Sequence, residues 1–221
     1  MKISVKIIHP VDPSTDFLLS ISRSLEIIKS IDLEIIRPNV GEAINDFSSL
    51  RNCDTILFLG HGYSRYLYGG VSESGKAKLI NIEQAAALFS QKQAVLFACD
   101  SNEFLKEVNR TNIVTSNYMG FGNMPTDWSD IIGIRESDPF FKIDLEEQTL
   151  EKYKELIVTS LSESLQLFFA RSLSFRDLYL ELRLRINKQI NATVYSSELD
   201  KAQKRELIKM LVEHRDEISW N

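Results

Sequence analysis

Two residues in this sequence have the types and settings for covalent chemistry. His61 lies in "FLGHGY" (58–63), between two glycines at the end of the apolar run "TILFLG" (55–60). Cys99 lies in "AVLFACDS" (94–101), directly after a second apolar run. A thiol becomes a strong nucleophile when a base removes its proton, and imidazole is the side chain suited to that task near neutral pH. The two are 38 positions apart in sequence. They form a nucleophile and its general base only if the fold makes the two runs neighbours.

The flanking residues extend this chemistry. Gly60 and Gly62 let the backbone turn sharply and a substrate chain approach closely. The amides of Gly62 and Cys99 are candidate oxyanion donors, and one such donor supplies about 3 kcal/mol of transition-state stabilisation. A helix starting near Ser101, with Ser101 as its expected N-cap, would turn its positive end toward Cys99 and favour the thiolate. The plainer reading makes His61 a turn residue and Cys99 inert packing, since a free cysteine packs as a small hydrophobe.

Positioning both residues requires alternating strands and helices. "ISVKIIH" (3–9), "LEIIRP" (33–38), 55–60, "AVLFA" (94–98) and "NIVTS" (112–116) read as strands. Segments 13–31, 41–52, 81–90 and 101–109 read as helices. Continuous apolar runs suit strands covered on both faces, so the pattern predicts a doubly wound, mostly parallel α/β sheet. In such a sheet the carboxyl ends of the strands share one edge, where ligands bind. Residues 63–80 interrupt the rhythm as a hairpin or surface loop, and 117–145 are irregular. From 146 onward three amphipathic helices are expected, 146–172, 174–190 and 197–218, with Ser174 and Asp177 forming a capping box. The expected division is an α/β core over 1–145 and a helical region over 146–221 that packs on the core or on a partner.

"ILFLGHG" followed by "AVLFACDS" resembles the caspase-like superfamily of cysteine peptidases, and within it the CHAT branch. The resemblance spans about residues 3–135. It implies a caspase-like sheet, His61 as general base and acid, Cys99 as nucleophile, and peptide-bond hydrolysis. It also implies a protein substrate, an activating or regulatory protein partner and a place in bacterial antiviral or cell-death systems. By the same likeness, Asp12, Phe97, Asp100, Tyr118 and Asp127 are candidate substrate-binding residues, with the loops 63–80 and 117–130 forming the cleft. Phe97 stands two positions before the cysteine, where the superfamily often lines its specificity pocket. The Gln-Ala-Cys-x-Gly signature of true caspases is replaced by "FACDS". No clear sixth strand is legible beyond the weak candidate "ATVYS" (192–196). The alternative reading is a caspase-like scaffold that no longer cleaves.

Bulk properties exclude other classes. The formal net charge of −5 gives no global basic field for nucleic acid. No run of about 18 apolar residues offers a membrane span, and no signal peptide is legible at the N-terminus, so a cytoplasmic location is expected. Cys53 and Cys99 are not expected to form a disulfide there, and Cys53 reads as structural. The three histidines, His9, His61 and His214, are too dispersed for a zinc site, and neither metal nor cofactor is expected. His9 could touch substrate or cap the first helix, while His214 is expected to be solvated on a charged helix. No GxSxG, P-loop or GxGxxG is present. A class I glutaminase would place its histidine after the cysteine, where only His214 stands.

Overall fold

The computed structural model describes residues 2–39, 50, 52–72, 75–111, 117–128 and 146–221. The expected helix 41–52 and strand 112–116 fall almost wholly outside these residues.

Short β-branched and apolar segments build the sheet. β1 (Ile3–Ile8) leads through a 3-10 turn (Pro13–Leu18) into α1 (Leu19–Glu26), then β2 (Ile31–Ile36) and β3 (Thr55–Leu59). Three further strands follow at once: β4 (His61–Tyr63), β5 (Tyr66–Ser72) and β6 (Gly75–Asn81). Next come α2 (Ile82–Phe89), β7 (Gln93–Phe97), α3 (Ser101–Arg110) and β8 (Tyr118–Gly120). The chain ends with α4 (Glu147–Arg171), α5 (Phe175–Tyr195), α6 (Lys201–Glu217) and β9 (Ser219–Trp220).

The main sheet has the order β2-β1-β3-β7-β8-β9, parallel throughout except for β9, which pairs antiparallel with β8. β3 lies at its centre between β1 and β7 and is buried along its whole length. Its apolar run is continuous because helices or strands cover both faces. The period of two divides its side chains. Leu57 and Leu59 join one apolar cluster with α1, α4, α5 and α6, through residues such as Leu25, Leu161, Leu182 and Leu211. Ile56 and Phe58 join a second cluster with Phe89 of α2, Phe104 of α3, and Leu67 and Ile80 of the small sheet. The molecule is thus α/β, with a mostly parallel sheet flanked by helices and a helical C-terminal region packed on one face.

Several expectations need correction. The last parallel strand is Tyr118–Gly120, inside the stretch read as irregular. The sixth strand is Ser219–Trp220, whereas 192–195 continue α5, with Thr193 buried and its hydroxyl donating to the Gln189 carbonyl. β4, β5 and β6 form a three-stranded antiparallel sheet that starts at His61 itself. Ser101 is the first helical residue of α3, and Asp100 precedes it in the left-handed region at φ 52°. The Ser174–Asp177 capping box is present as read.

Candidate active site

The pairing of β3 with β7 sets the site. Leu59 is in register with Phe97, and the Gly60 amide donates to the Phe97 carbonyl at 3.2 Å. Both chains leave the sheet at this edge. His61 comes two positions after Leu59, and Cys99 two after Phe97. Adjacent strands lie about 4.8 Å apart, so the two residues emerge side by side. Gly62 is pressed against the Cys99 turn: a methyl group built on it would come within 2.5 Å of the Cys99 carbonyl oxygen and 2.9 Å of Ala98 Cβ. Only glycine fits there.

The His61 ring is buried, and neighbours hold both its nitrogens. Asp12 caps the 3-10 turn, accepting from the Ser14 amide at 2.9 Å and from the Ser14 hydroxyl at 2.7 Å. Because Ser14 Oγ spends its proton on Asp12, its lone pairs face His61 Nε2, 2.8 Å away. The second Asp12 oxygen lies 3.5 Å from the same nitrogen. The ring therefore carries its proton on Nε2, which leaves Nδ1 as the basic nitrogen. The Lys76 ammonium, on β6, donates to Nδ1 at 3.3 Å.

Cys99 is half-buried, and its thiol donates to the Met124 carbonyl at 3.1 Å. The turn around it is tied to the segment that follows β8. The Asp100 amide donates to Gly122 O, the Asn102 amide to Phe121 O, and the Phe121 amide to the Ser101 hydroxyl. The first α3 amides are thereby partly consumed, as the Glu103 amide also donates to Asn102 Oδ1. The Asp100 carboxyl does not cap α3; burial, then Glu103, raises its pKa.

The remaining candidates divide by position. Phe97 is buried and meets the Phe121 ring edge-on at 4.8 Å. Asp12 points inward at His61 rather than into an open cleft, because Pro13 at the start of the 3-10 turn fixes it as a cap. Tyr118 pairs with Ala94 near the start of β7, at the sheet edge remote from Cys99, and is buried in the second cluster. Asp127 and Trp128 are half-buried, and Trp128 packs on the first cluster. His9 is buried with Nε2 against the Thr15 carbonyl, and burial lowers its pKa. Cys53 sits before β3, about 20 Å from the His61 edge at ~3.3 Å per residue. Its thiol donates to Leu50 O, and burial pushes it up.

His214 contradicts its expected exposure. It is buried, stacks on Phe121 at 5.5 Å, and accepts or donates at Nδ1 with the Tyr153 hydroxyl at 3.3 Å. Burial lowers its pKa to about 3. Tyr153 is itself buried, which raises its hydroxyl well above the ordinary value, and the nearby Cys99 charge adds to the effect. Ser14 and Lys76 escaped the sequence reading, whereas Tyr153 lies on the packing face expected for the helix 146–172. Ser14 carried a partial signal in "DPST", a cap sequence beside Asp12.

No family model matches the chain, and no curated protein matches it. Among solved structures, the RcsB response regulator of Salmonella typhimurium, described for conformational dynamism in DNA interaction, aligns at 14% identity. The alignment covers 94% of this chain and 98% of that one, with a TM-score of 0.31. At that score nothing of the other protein's role transfers. Among the described residues, no helix is long and apolar enough to cross a membrane, and no three His, Cys, Asp or Glu side chains converge as metal ligands.

Proposed function

We propose that this protein is a caspase-like cysteine endopeptidase of the CHAT type, acting on a protein substrate in the cytoplasm and switched on by a protein partner. The observation that carries the reading is the emergence of His61 and Cys99 side by side from the adjoining, in-register strands β3 and β7. A six-stranded sheet with an antiparallel last strand supports it. The antiviral or cell-death setting rests on the sequence resemblance alone.

In this mechanism Ser14 and Asp12 retain the Nε2 proton, so Nδ1 takes the proton from Cys99. The thiolate attacks the scissile carbonyl, and the oxyanion forms beside Gly62 and the Cys99 amide. The proton on Nδ1 then passes to the departing amine, leaving an acyl-enzyme that water hydrolyses by the same proton route. Lys76 must first release Nδ1, and Cys99 must release the Met124 carbonyl. On this reading those two contacts belong to a resting form that a partner would open.

The test is cleavage of a diverse peptide library by wild type and Cys99→Ala, with and without lysate of the source cell. Cleavage abolished by Cys99→Ala supports the peptidase. Absence of cleavage in both conditions, with equal slow alkylation of Cys99 and Cys53, refutes it in favour of a non-cleaving scaffold.

A further inference from the structure

β2 ends the main sheet on one side, with β1 as its partner. The Ser30 and Ile36 carbonyls accept from the Ile3 and His9 amides, and the parallel register between them turns the even-numbered residues of β2 toward β1. The amides of Leu33 and Ile35, and the carbonyls of Ile31, Leu33 and Ile35, therefore point away from the sheet. They meet no hydrogen-bond partner among the described residues. The Ile31 amide is taken by the Ile28 carbonyl at 3.4 Å. A row of open backbone groups is a template for one more strand.

The two faces of this edge differ. Ile31, Leu33 and Ile35 line a groove of about 480 Å³ together with Ile27, which is 75% exposed at the end of α1. That volume takes side chains rather than single waters. Charged groups of both signs, Glu26 and Lys29 among them, also line the groove, so apolar fit rather than charge selects its occupant. Asp32 and Glu34 stand exposed on the opposite face, Glu34 paired with Lys6. Those carboxylates discriminate between occupants. Antiparallel pairing sets outward-facing residues opposite one another. The registers that overlap two β2 strands most fully therefore place Asp32 opposite Glu34, or Glu34 opposite its own copy. Like charges directly opposite are destabilising, so the edge rejects a second copy and favours a strand with basic side chains on that face.

We infer that β2 takes an extended segment of a partner protein as an added strand, with alternate apolar residues over the groove and basic residues between them facing Asp32 and Glu34. β1 separates this edge from β3, and the inference stands without the peptidase reading. The test is amide hydrogen exchange in the full chain, with acetyl-Lys-Val-Lys-Val-Lys-Val-Lys-amide as the probe. At saturation the Leu33 and Ile35 amides should exchange about ten-fold more slowly, while the inward amides of Asp32 and Glu34 change far less. Acetyl-Lys-Lys-Val-Val-Val-Lys-Lys-amide has the same composition, and so the same attraction to a chain of net charge −5, without the alternation. It should leave both amides unchanged. Acetyl-Glu-Val-Glu-Val-Glu-Val-Glu-amide should bind about ten-fold more weakly than the lysine probe, and Asp32→Lys, at an exposed position, should remove most of that preference. Equal protection by the shuffled or the acidic peptide overturns the inference, as does protection by none of them. Protection of Leu33 and Ile35 that grows with protein concentration alone would make a second copy the occupant and overturn it equally.

Discussion

Gly62→Ala tests the juxtaposition on which the mechanism depends. The added methyl would stand 2.5 Å from the Cys99 carbonyl oxygen, about 0.9 Å short of ordinary contact at 3.4 Å. The obstructing atom is backbone, held by the hydrogen bonds that tie residues 100–102 to 121–122. Relief must therefore come from moving β4 away from the Cys99 turn, by about an ångström. A misplacement of that size costs on the order of 100-fold in rate, or about 2.7 kcal/mol of activation free energy. Overpacking adds about 1–3 kcal/mol of lost stability. Gly69→Ala is the control in the same small sheet, because its methyl would meet Ala77 at ordinary contact distances, the carbonyl oxygen at 3.6 Å and Cβ at 3.9 Å. Cys99-dependent cleavage and Cys99 alkylation rate are measured for both variants, with urea unfolding to confirm the fold. Gly62→Ala should lose about 100-fold in cleavage, and Gly69→Ala should match wild type. A folded Gly62→Ala that cleaves and alkylates at the wild-type rate would refute the placement of β4 against the nucleophile.

Three further outcomes follow from the neighbours of the two residues. Ser14→Ala removes the oxygen that receives Nε2–H, and should lower Cys99-dependent cleavage about ten-fold while displacing the acid limb of its pH profile; a profile unchanged in shape would make Ser14 merely structural. Lys76→Met frees Nδ1 and should raise the Cys99 alkylation rate at pH 7 without changing that of Cys53, so an equal or slower rate counts against the clamp. His214 binds its proton only near pH 3 in the folded protein but near 6.5 when unfolded, so the unfolded chain holds more protons between these values. Stability should then fall as pH drops from about 6.5 toward 3, by up to about 1.4 kcal/mol per unit from this group. His214→Phe should flatten that slope in urea unfolding at pH 4.5 and 7.5, and an identical slope would show that another group sets it.

What was legible in the sequence follows from how local each signal is. β3 and β7 could be read because five-residue apolar runs ending at Gly60 and Ala98 have few alternatives in a chain of this size. The Ser174–Asp177 box could be read because both partners lie within one helical turn. β8 and β9 could not, since three and two residues carry no periodicity and exist only by pairing with strands already in place. "ATVYS" misled because β-branched residues favour strands, yet here they extend a long helix whose packing outweighs that preference. His214 misled because its helix is charged on most sides, while the buried stripe of Leu207, Met210 and Leu211 carries the histidine onto Phe121. His61 and Cys99 could be proposed from sequence, but not the groups around them. Ser14 reaches His61 from 47 positions away and Lys76 from 15, through a turn and a small sheet that no local pattern predicts.

On the proposed mechanism, those two contacts bear on how the site would be switched. The Lys76–His61 and Cys99–Met124 hydrogen bonds would both have to open before proton transfer. A net contribution of about 1 kcal/mol each places the competent arrangement about 2 kcal/mol above the resting one, a population of a few per cent. A partner need supply only that difference, by binding the open arrangement about 30-fold more tightly than the closed one. Lys76 stands on β6, at the far side of the small sheet, and Met124 on the segment after β8, so one docking event that shifts β6 and 121–124 together would release base and nucleophile at once. Since the Ser14–Asp12 contacts lie on the opposite ring nitrogen, the histidine would keep its tautomer through the change. The switch would thus free the catalytic groups without rebuilding them.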